Sequence, residues 1–147
     1  MSSPLDRDLA GRRTGPREQI RPAALDVAGA DRLAYAYGVR TGDILWIAGQ
    51  VARDCAGRLV SEGDAEAQAV QCFENVKAVV EAAGGTMDDV VSANMYVTAR
   101  PHRDIINAVR ARYFQAPRLP VGALLIVAGL ALPEYLVEVD AVAVLGG

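Results

Sequence analysis

Residues Asp64 to Ala83 read DAEAQAVQCFENVKAVVEAA. Ala65, Ala69, Cys72, Phe73, Val76, Val79, Val80 and Ala83 recur at spacings of three and four, which puts one continuous apolar stripe on an α-helix. Asp64 supplies a cap for its start and Gly84 one for its end. Gly84-Gly85 follows this helix instead of leading it out of a strand, so it reads as a C-cap and not as a phosphate loop. Opposite the stripe, Lys77 and Glu81 form an i,i+4 pair, worth only ~0.2–0.5 kcal/mol, on a solvated face.

Outward from the helix the period changes to two. In Val90 to Thr98, Val91, Ala93, Met95 and Val97 alternate with Ser92, Asn94, Tyr96 and Thr98, the pattern of a strand with one buried face. Pro101 opens a second helix whose apolar side is Ile105, Ile106, Val109, Tyr113 and Phe114. Upstream, LAYAYGVR (Leu33 to Arg40), the turn Thr41-Gly42-Asp43 and ILWIAG (Ile44 to Gly49) predict a β-hairpin, followed by a polar loop at Arg53 to Arg58. Downstream, Val121 to Leu130 is apolar on both faces, Pro133-Glu134 makes a turn, and Tyr135 to Leu145 is apolar except at Glu138 and Asp140. The order is β-β-α-β-α-β-β, an α+β domain of two layers with two helices on one sheet. Two helices cover one sheet face only, and an apolar second face predicts that subunits pack sheet to sheet, with sites at their junctions.

The chain has 147 residues, 52% hydrophobic and 22% charged, enough for one core in one domain and unlike a disordered chain. Residues 1–30 are expected to be a flexible amino-terminal tail and residues 31–147 the folded domain. The tail has no apolar stretch of a secretory signal, and Asp6, Asp8 and Glu18 among its arginines speak against a transit peptide. The longest uncharged run, Val121 to Leu132, is far below the ~20 apolar residues of a membrane span. A net charge of −3 and 5% aromatic residues argue against nucleic acid as a partner. Cys55 and Cys72 fit neither a disulfide framework nor a metal motif, so the expected setting is the cytoplasm.

Few residues offer chemistry. Glu138 and Asp140, two apart, share one face of the last strand, where a carboxylate is expensive unless paired or employed. An ion pair to an arginine across an interface and a functional role both remain open for Glu138. His102, the single histidine, reads as a surface or capping residue at a helix start, and no histidine cluster suggests a metal. Asn107 sits inside the second helix, where its amide serves either a neighbouring loop or a ligand. Tyr35 and Tyr37 fit cross-strand packing.

The segments YAYGVRTGDILWIAGQV (Tyr35 to Val51), GRLVSEGDAEAQAVQCFENVKAVVEAAGG (Gly57 to Gly85), DDVVSANMYVT (Asp88 to Thr98), INAVRARYF (Ile106 to Phe114) and LPEYLVEVDAVAV (Leu132 to Val144) resemble, in order, the Rid family. These are the reactive-intermediate deaminases, or YjgF-type proteins, once labelled endoribonucleases. The resemblance implies a chorismate-mutase-like fold, a homotrimer whose sheets form a central barrel, and a small-molecule cleft between subunits. It also implies hydrolysis of imines or enamines to a carbonyl compound and ammonia without a cofactor. By motif, Tyr35 corresponds to a cleft-lining tyrosine, Asn107 to the second-helix asparagine, and Glu138 to the acid that positions a water.

Three positions depart from the pattern. Gly122 stands where deaminating members carry an arginine that clamps the substrate carboxylate, Ala48 replaces the serine of the SGQ motif, and Leu124 replaces a cleft cysteine. Arg118 is a candidate replacement for the lost clamp. The expectation is an enzyme on an imine, enamine or related intermediate other than the usual 2-imino acids, for hydrolysis or a biosynthetic tailoring step. The alternatives are a small-molecule-binding trimer without catalysis, and RNA cleavage.

Overall fold

The computed structural model describes residues 16–146. Its elements are β1 (Arg17–Ile20), α1 (Val27–Arg32), β2 (Gly38–Thr41), β3 (Ile44–Val51), α2 (Ala65–Ala82), a 3₁₀ turn (Met87–Asp89), β4 (Val90–Val97), α3 (His102–Tyr113), β5 (Leu124–Ile126) and β6 (Val137–Val144). They form one six-stranded sheet in the order β1-β2-β3-β6-β4-β5, antiparallel throughout except for the parallel β4–β5 pair. The α+β class and the two helices α2 and α3 are as the periodicities predict.

The strand and helix nearest the amino terminus are a correction. Residues 17–20 and 27–30 lie in the expected flexible tail, yet β1 pairs along β2 and Ile20, Leu25 and Ala30 are buried. Only one residue of β1 faces the core, so REQI carries no visible alternation, and its order comes from edge pairing with β2. Residues 1–15 of that expected tail lie outside the described residues. The first strand of the hairpin starts at Gly38 instead of Leu33, because Leu33 closes α1 and Ala34 takes a positive φ of 55°. The expected strand Val121 to Leu130 contracts to three residues at the sheet edge, where β4 pairs it from one side alone.

One face of the sheet packs on the helices. Phe73, Val76, Val79 and Val80 of α2 and Ile106 and Val109 of α3 meet Leu45, Met95, Val97, Val137 and Val139, all fully buried. Phe73 stacks on Tyr113 with ring centres 5.0 Å apart and takes Phe114 edge-on at 5.9 Å. The other face carries no helix among the described residues. Ile44, Trp46 and Val144 remain 38%, 50% and 45% exposed there, around the half-buried Asn94, Tyr96, Glu138 and Asp140.

Two buried amides on α2 hold the loops that flank β3 and β6. Gln68 donates to the carbonyls of Glu134 (3.0 Å) and Ser61 (3.3 Å) and accepts from the Leu136 amide at 2.9 Å. Asn75 donates to the carbonyls of Val51 (3.1 Å) and Arg53 (3.0 Å). Both sit within the apolar stripe, seven residues apart. Replacing Gln68 with Ala strands two carbonyls and an amide, so urea denaturation of Gln68→Ala should show a loss of about 1–3 kcal/mol. An unchanged midpoint would mean that the loops are held by other contacts.

Candidate functional site on the open sheet face

The site is built around a bulge. The β3–β6 register runs from Ile44↔Val144 to Ile47↔Ala141 and resumes at Gln50↔Val139 and Val51↔Glu138, leaving Ala48 and Gly49 as the irregular step. A bulge reverses which residues face each side. Before it, Ile44 and Trp46 look out of the open face; after it Gly49 and Val51 do so, while Gln50 is buried. The bulge is pinned on both sides, since the Ala48 amide donates to the Tyr37 carbonyl at 2.9 Å and the Gln50 side chain to the Ala48 carbonyl at 3.0 Å. It brings Gly49 against Glu138 so closely that a Cβ there would overlap the carboxylate.

The two acids of β6 have different surroundings. Asp140 accepts from Asn94 (3.0 Å) and from the Tyr96 hydroxyl (2.6 Å), and Asn94 in turn accepts the Ala123 amide at 3.0 Å. This network ties β6, β4 and the approach to β5 together, and the hydrogen bond to Asp140 is the main reason the Tyr96 hydroxyl is pushed up to about 12. Among the described residues, no donor and no basic side chain reaches Glu138, so the ion pair considered for it is not formed within the chain. Burial, and secondly the charge of Asp140, raise its carboxyl above the ordinary value. Behind the sheet, the Cys72 thiol is held protonated by burial first and by Glu138 second.

The expected site residues fall into two groups. Ala48 lies at the bulge beside Gly49 and Glu138, whereas Tyr35, 39% exposed, meets Tyr37 edge-on at 5.7 Å and lines a small cavity with Leu25, Gly49 and Asn75 that neither Ala48 nor Glu138 borders. Leu124 pairs with Met95 and packs against the core, so it stands on the helix side of the sheet. Asn107 belongs to that side as well, half-buried on α3 with no side-chain hydrogen bond among the described residues. It is Leu125, level with Tyr96 and Glu138, that shares the open face. Gly122 lies at the sheet edge opposite Ala93, with φ +157° and no room for a Cβ beside the Ala93 carbonyl. One chain therefore does not unite Ala48 and Glu138 with Tyr35, Asn107, Gly122 and Leu124.

Of the remaining candidates, His102 is the first residue of α3, and its Nδ1 is buried without a partner. Arg118 is an exposed loop residue. Among the described residues, no group of His, Cys, Asp and Glu side chains is placed to hold a metal ion, and no helix is long and apolar enough to cross a membrane. Sequence reasoning missed Gly49: it lies against Glu138 because of the bulge, which the strand ILWIAGQV does not announce.

A six-stranded mixed sheet with two helices packed on one face defines an α+β domain. Residues 27–145 match the family described as endoribonuclease L-PSP, and the chain belongs to this family, the Rid or YjgF-type proteins. A protein of unknown function from Pseudomonas aeruginosa is 34% identical, the match covering 88% of this chain and 93% of that one with a TM-score of 0.75. RidA from an Antarctic Psychrobacter is 32% identical over 91% of this chain and 100% of its own, TM-score 0.74. A Rid-family protein of unknown function from Yersinia pestis is 26% identical over 88% and 100%, TM-score 0.80.

Two outcomes follow from this geometry. Because position 122 excludes a Cβ, Gly122→Ala and Gly122→Arg should both lose about 1–3 kcal/mol in urea denaturation; arginine as stable as glycine would show that the strand edge adapts. Because the folded state raises the Glu138 pKa, ionising Glu138 costs stability as pH rises through that value, and the cost is absent below the unfolded value. Thermal unfolding of Glu138→Gln should thus show a gain over the native chain at pH 7 that vanishes below about pH 4.

Proposed function

We propose that the protein is a cofactor-independent hydrolase of an imine, enamine or related reactive intermediate, at a cleft completed between the subunits of a homotrimer. The observation that carries this reading is Glu138, a half-buried carboxylate with a raised pKa, beside a glycine bulge on a sheet face where, among the described residues, no partner and no helix meets it. Such a group is an unfavourable way to build a sheet and a suitable way to hold a water. The family membership supports a Rid-like function in general. The exposed Ile44, Trp46 and Val144, and the split of the expected site residues into two groups, support assembly.

In this reading Glu138 accepts a proton from water as the oxygen attacks the imine carbon. The C=N π electrons move to nitrogen, giving a carbinolamine. With the substrate entering as the iminium, Glu138 then returns its proton to the carbinolamine nitrogen; ammonia leaves with the C–N electron pair, and the hydroxyl proton passes back to Glu138 as the C–O bond becomes a carbonyl. A pKa raised toward neutrality suits both transfers. The fully engaged Asp140 shapes the site through Tyr96 and Asn94 instead.

The loss of arginine at position 122 argues against the usual 2-imino acids. A missing anchor of that kind is worth ~2–5 kcal/mol, so ammonia release from 2-iminopropanoate, generated by an amino-acid oxidase, should stay near background. A small-molecule-binding trimer without catalysis is the second reading, favoured by the apolar Ala48 and Leu125 near Glu138; it gives no reason for Glu138. With the true substrate, Glu138→Gln should lower turnover by ~10²-fold or more with folding intact. Light scattering should give a trimer at micromolar concentration. Unchanged turnover in an intact Glu138→Gln trimer would rule out the acid-base role.

A further inference from the structure

Level with Glu138, the side chains on either side are hydrocarbon and aromatic. Val51 of β3 and Tyr96 of β4 are its register partners, and Leu125 of β5 is the register partner of Tyr96. Val51, Glu138, Tyr96 and Leu125 therefore form one row across four strands. The row lies on the open face, because the alternating positions beside it, Val137 and Val139, Met95 and Val97, Gln50 and Leu124, point into the core. Residues directly opposite on antiparallel strands have Cβ atoms about 4.5–5.5 Å apart, which makes Val51 and Tyr96 the walls of the Glu138 carboxylate. Leu125, one strand further along, is 47% exposed.

The polar end of Tyr96 is already committed. Its hydroxyl donates to Asp140 at 2.6 Å, and that bond, followed by burial, keeps it a neutral phenol by lifting it to about 12. What Tyr96 offers a ligand beside Glu138 is thus its ring. The charges next to the row, Glu138 and Asp140, are both negative, and no basic side chain among the described residues reaches Glu138. A carboxylate bound along the row would be repelled by both acids. A hydrocarbon group would instead withdraw the exposed apolar surface of Leu125 and its neighbours from water.

We infer that the reacting carbon of the substrate carries a hydrocarbon group that packs along this row on Tyr96 and Leu125, with Tyr96 as the specificity-determining residue. The inference rests on the proposed function for the reacting centre and adds the substrate class, an imine or enamine of an uncharged alkyl or aryl carbonyl compound.

The test is binding of product-like ketones to the full-length protein, followed by calorimetry and nuclear magnetic resonance shifts. The probes are acetone, butan-2-one, pentan-2-one and hexan-2-one, with pyruvate as the anion and aminoacetone as the cation. Affinity should rise about two- to fourfold with each added methylene, and pyruvate and aminoacetone should bind no more tightly than acetone. Tyr96→Ser should flatten the series, whereas Tyr96→Phe, which keeps the ring, should preserve most of it. Leu125→Ser, at an exposed position, should weaken hexan-2-one and leave acetone unchanged, and it decides the matter if circular dichroism shows Tyr96→Ser unfolded. A flat series in the native chain, a native series in both folded serine variants, preference for pyruvate or aminoacetone, or no ketone binding because a partner subunit covers the row would each overturn the assignment. Turnover is read separately, as ammonia release from the imine that a flavin amine oxidase makes from 2-aminohexane. Binding without turnover would contradict the hydrolase reading and leave the hydrocarbon subsite standing; turnover with a flat series would contradict the subsite alone.

Discussion

A carboxylate in the middle of a sheet, half out of water and without a counter-charge among the described residues, is the constraint around which the open face is organised. Burial raises the Glu138 pKa, and the structure does nothing locally to relieve it. Relief would be simple: an amide donor or an arginine on β3 or β4 would suffice. What the chain supplies instead is a bulge that leaves a glycine, the one residue without a Cβ, against the acid. Two residues away, Asp140 shows what a relieved acid looks like, with both oxygens held by Asn94 and Tyr96. The contrast within one strand separates a structural carboxylate from an available one.

The rest of the domain serves that arrangement at a distance. α2 buries its apolar stripe against the sheet, and from within the same stripe Gln68 and Asn75 hold the chain entering β6 and leaving β3. These are the two strands that flank the bulge. Polar groups this deep are tolerated because each is satisfied. Gly122 expresses a different constraint: the edge strand approaches β4 so closely that the backbone itself fills the space of a side chain. The absence of an arginine there is therefore built into the conformation of the edge.

Much of this was legible in the sequence, for physical reasons that differ by element. α2, α3, β4 and β6 announce themselves because each buries one face against the same core, and burial imposes the period. β1 was not legible, since four residues with one apolar side chain carry no period and are ordered by their neighbour. The length of β5 was obscured because Val121 to Leu130 is apolar for reasons of edge exposure, with Val121 73% exposed. For the site, the position of Glu138 was readable from the spacing to Asp140, but the difference between the two acids was not, because it depends on which partners the neighbouring strand β4 brings. The approach of Gly49 to Glu138 was hidden by the bulge, which changes parity without a sequence signature. Leu124 was assigned by motif to the cleft, whereas the register turns it to the core and presents Leu125 beside Glu138.

The central claim is that Glu138 is a proton-transferring group kept without a partner by the fold. Its most direct measurement is a carbon-13 NMR titration of the glutamate side-chain carboxyls, with Glu138 assigned by the signal missing from Glu138→Gln. A titration midpoint displaced upward from the ordinary glutamate range of about 4.3, with the remaining glutamates near it, is the predicted result. A midpoint at or below the ordinary value would show that Glu138 is solvated or paired, and would contradict the account.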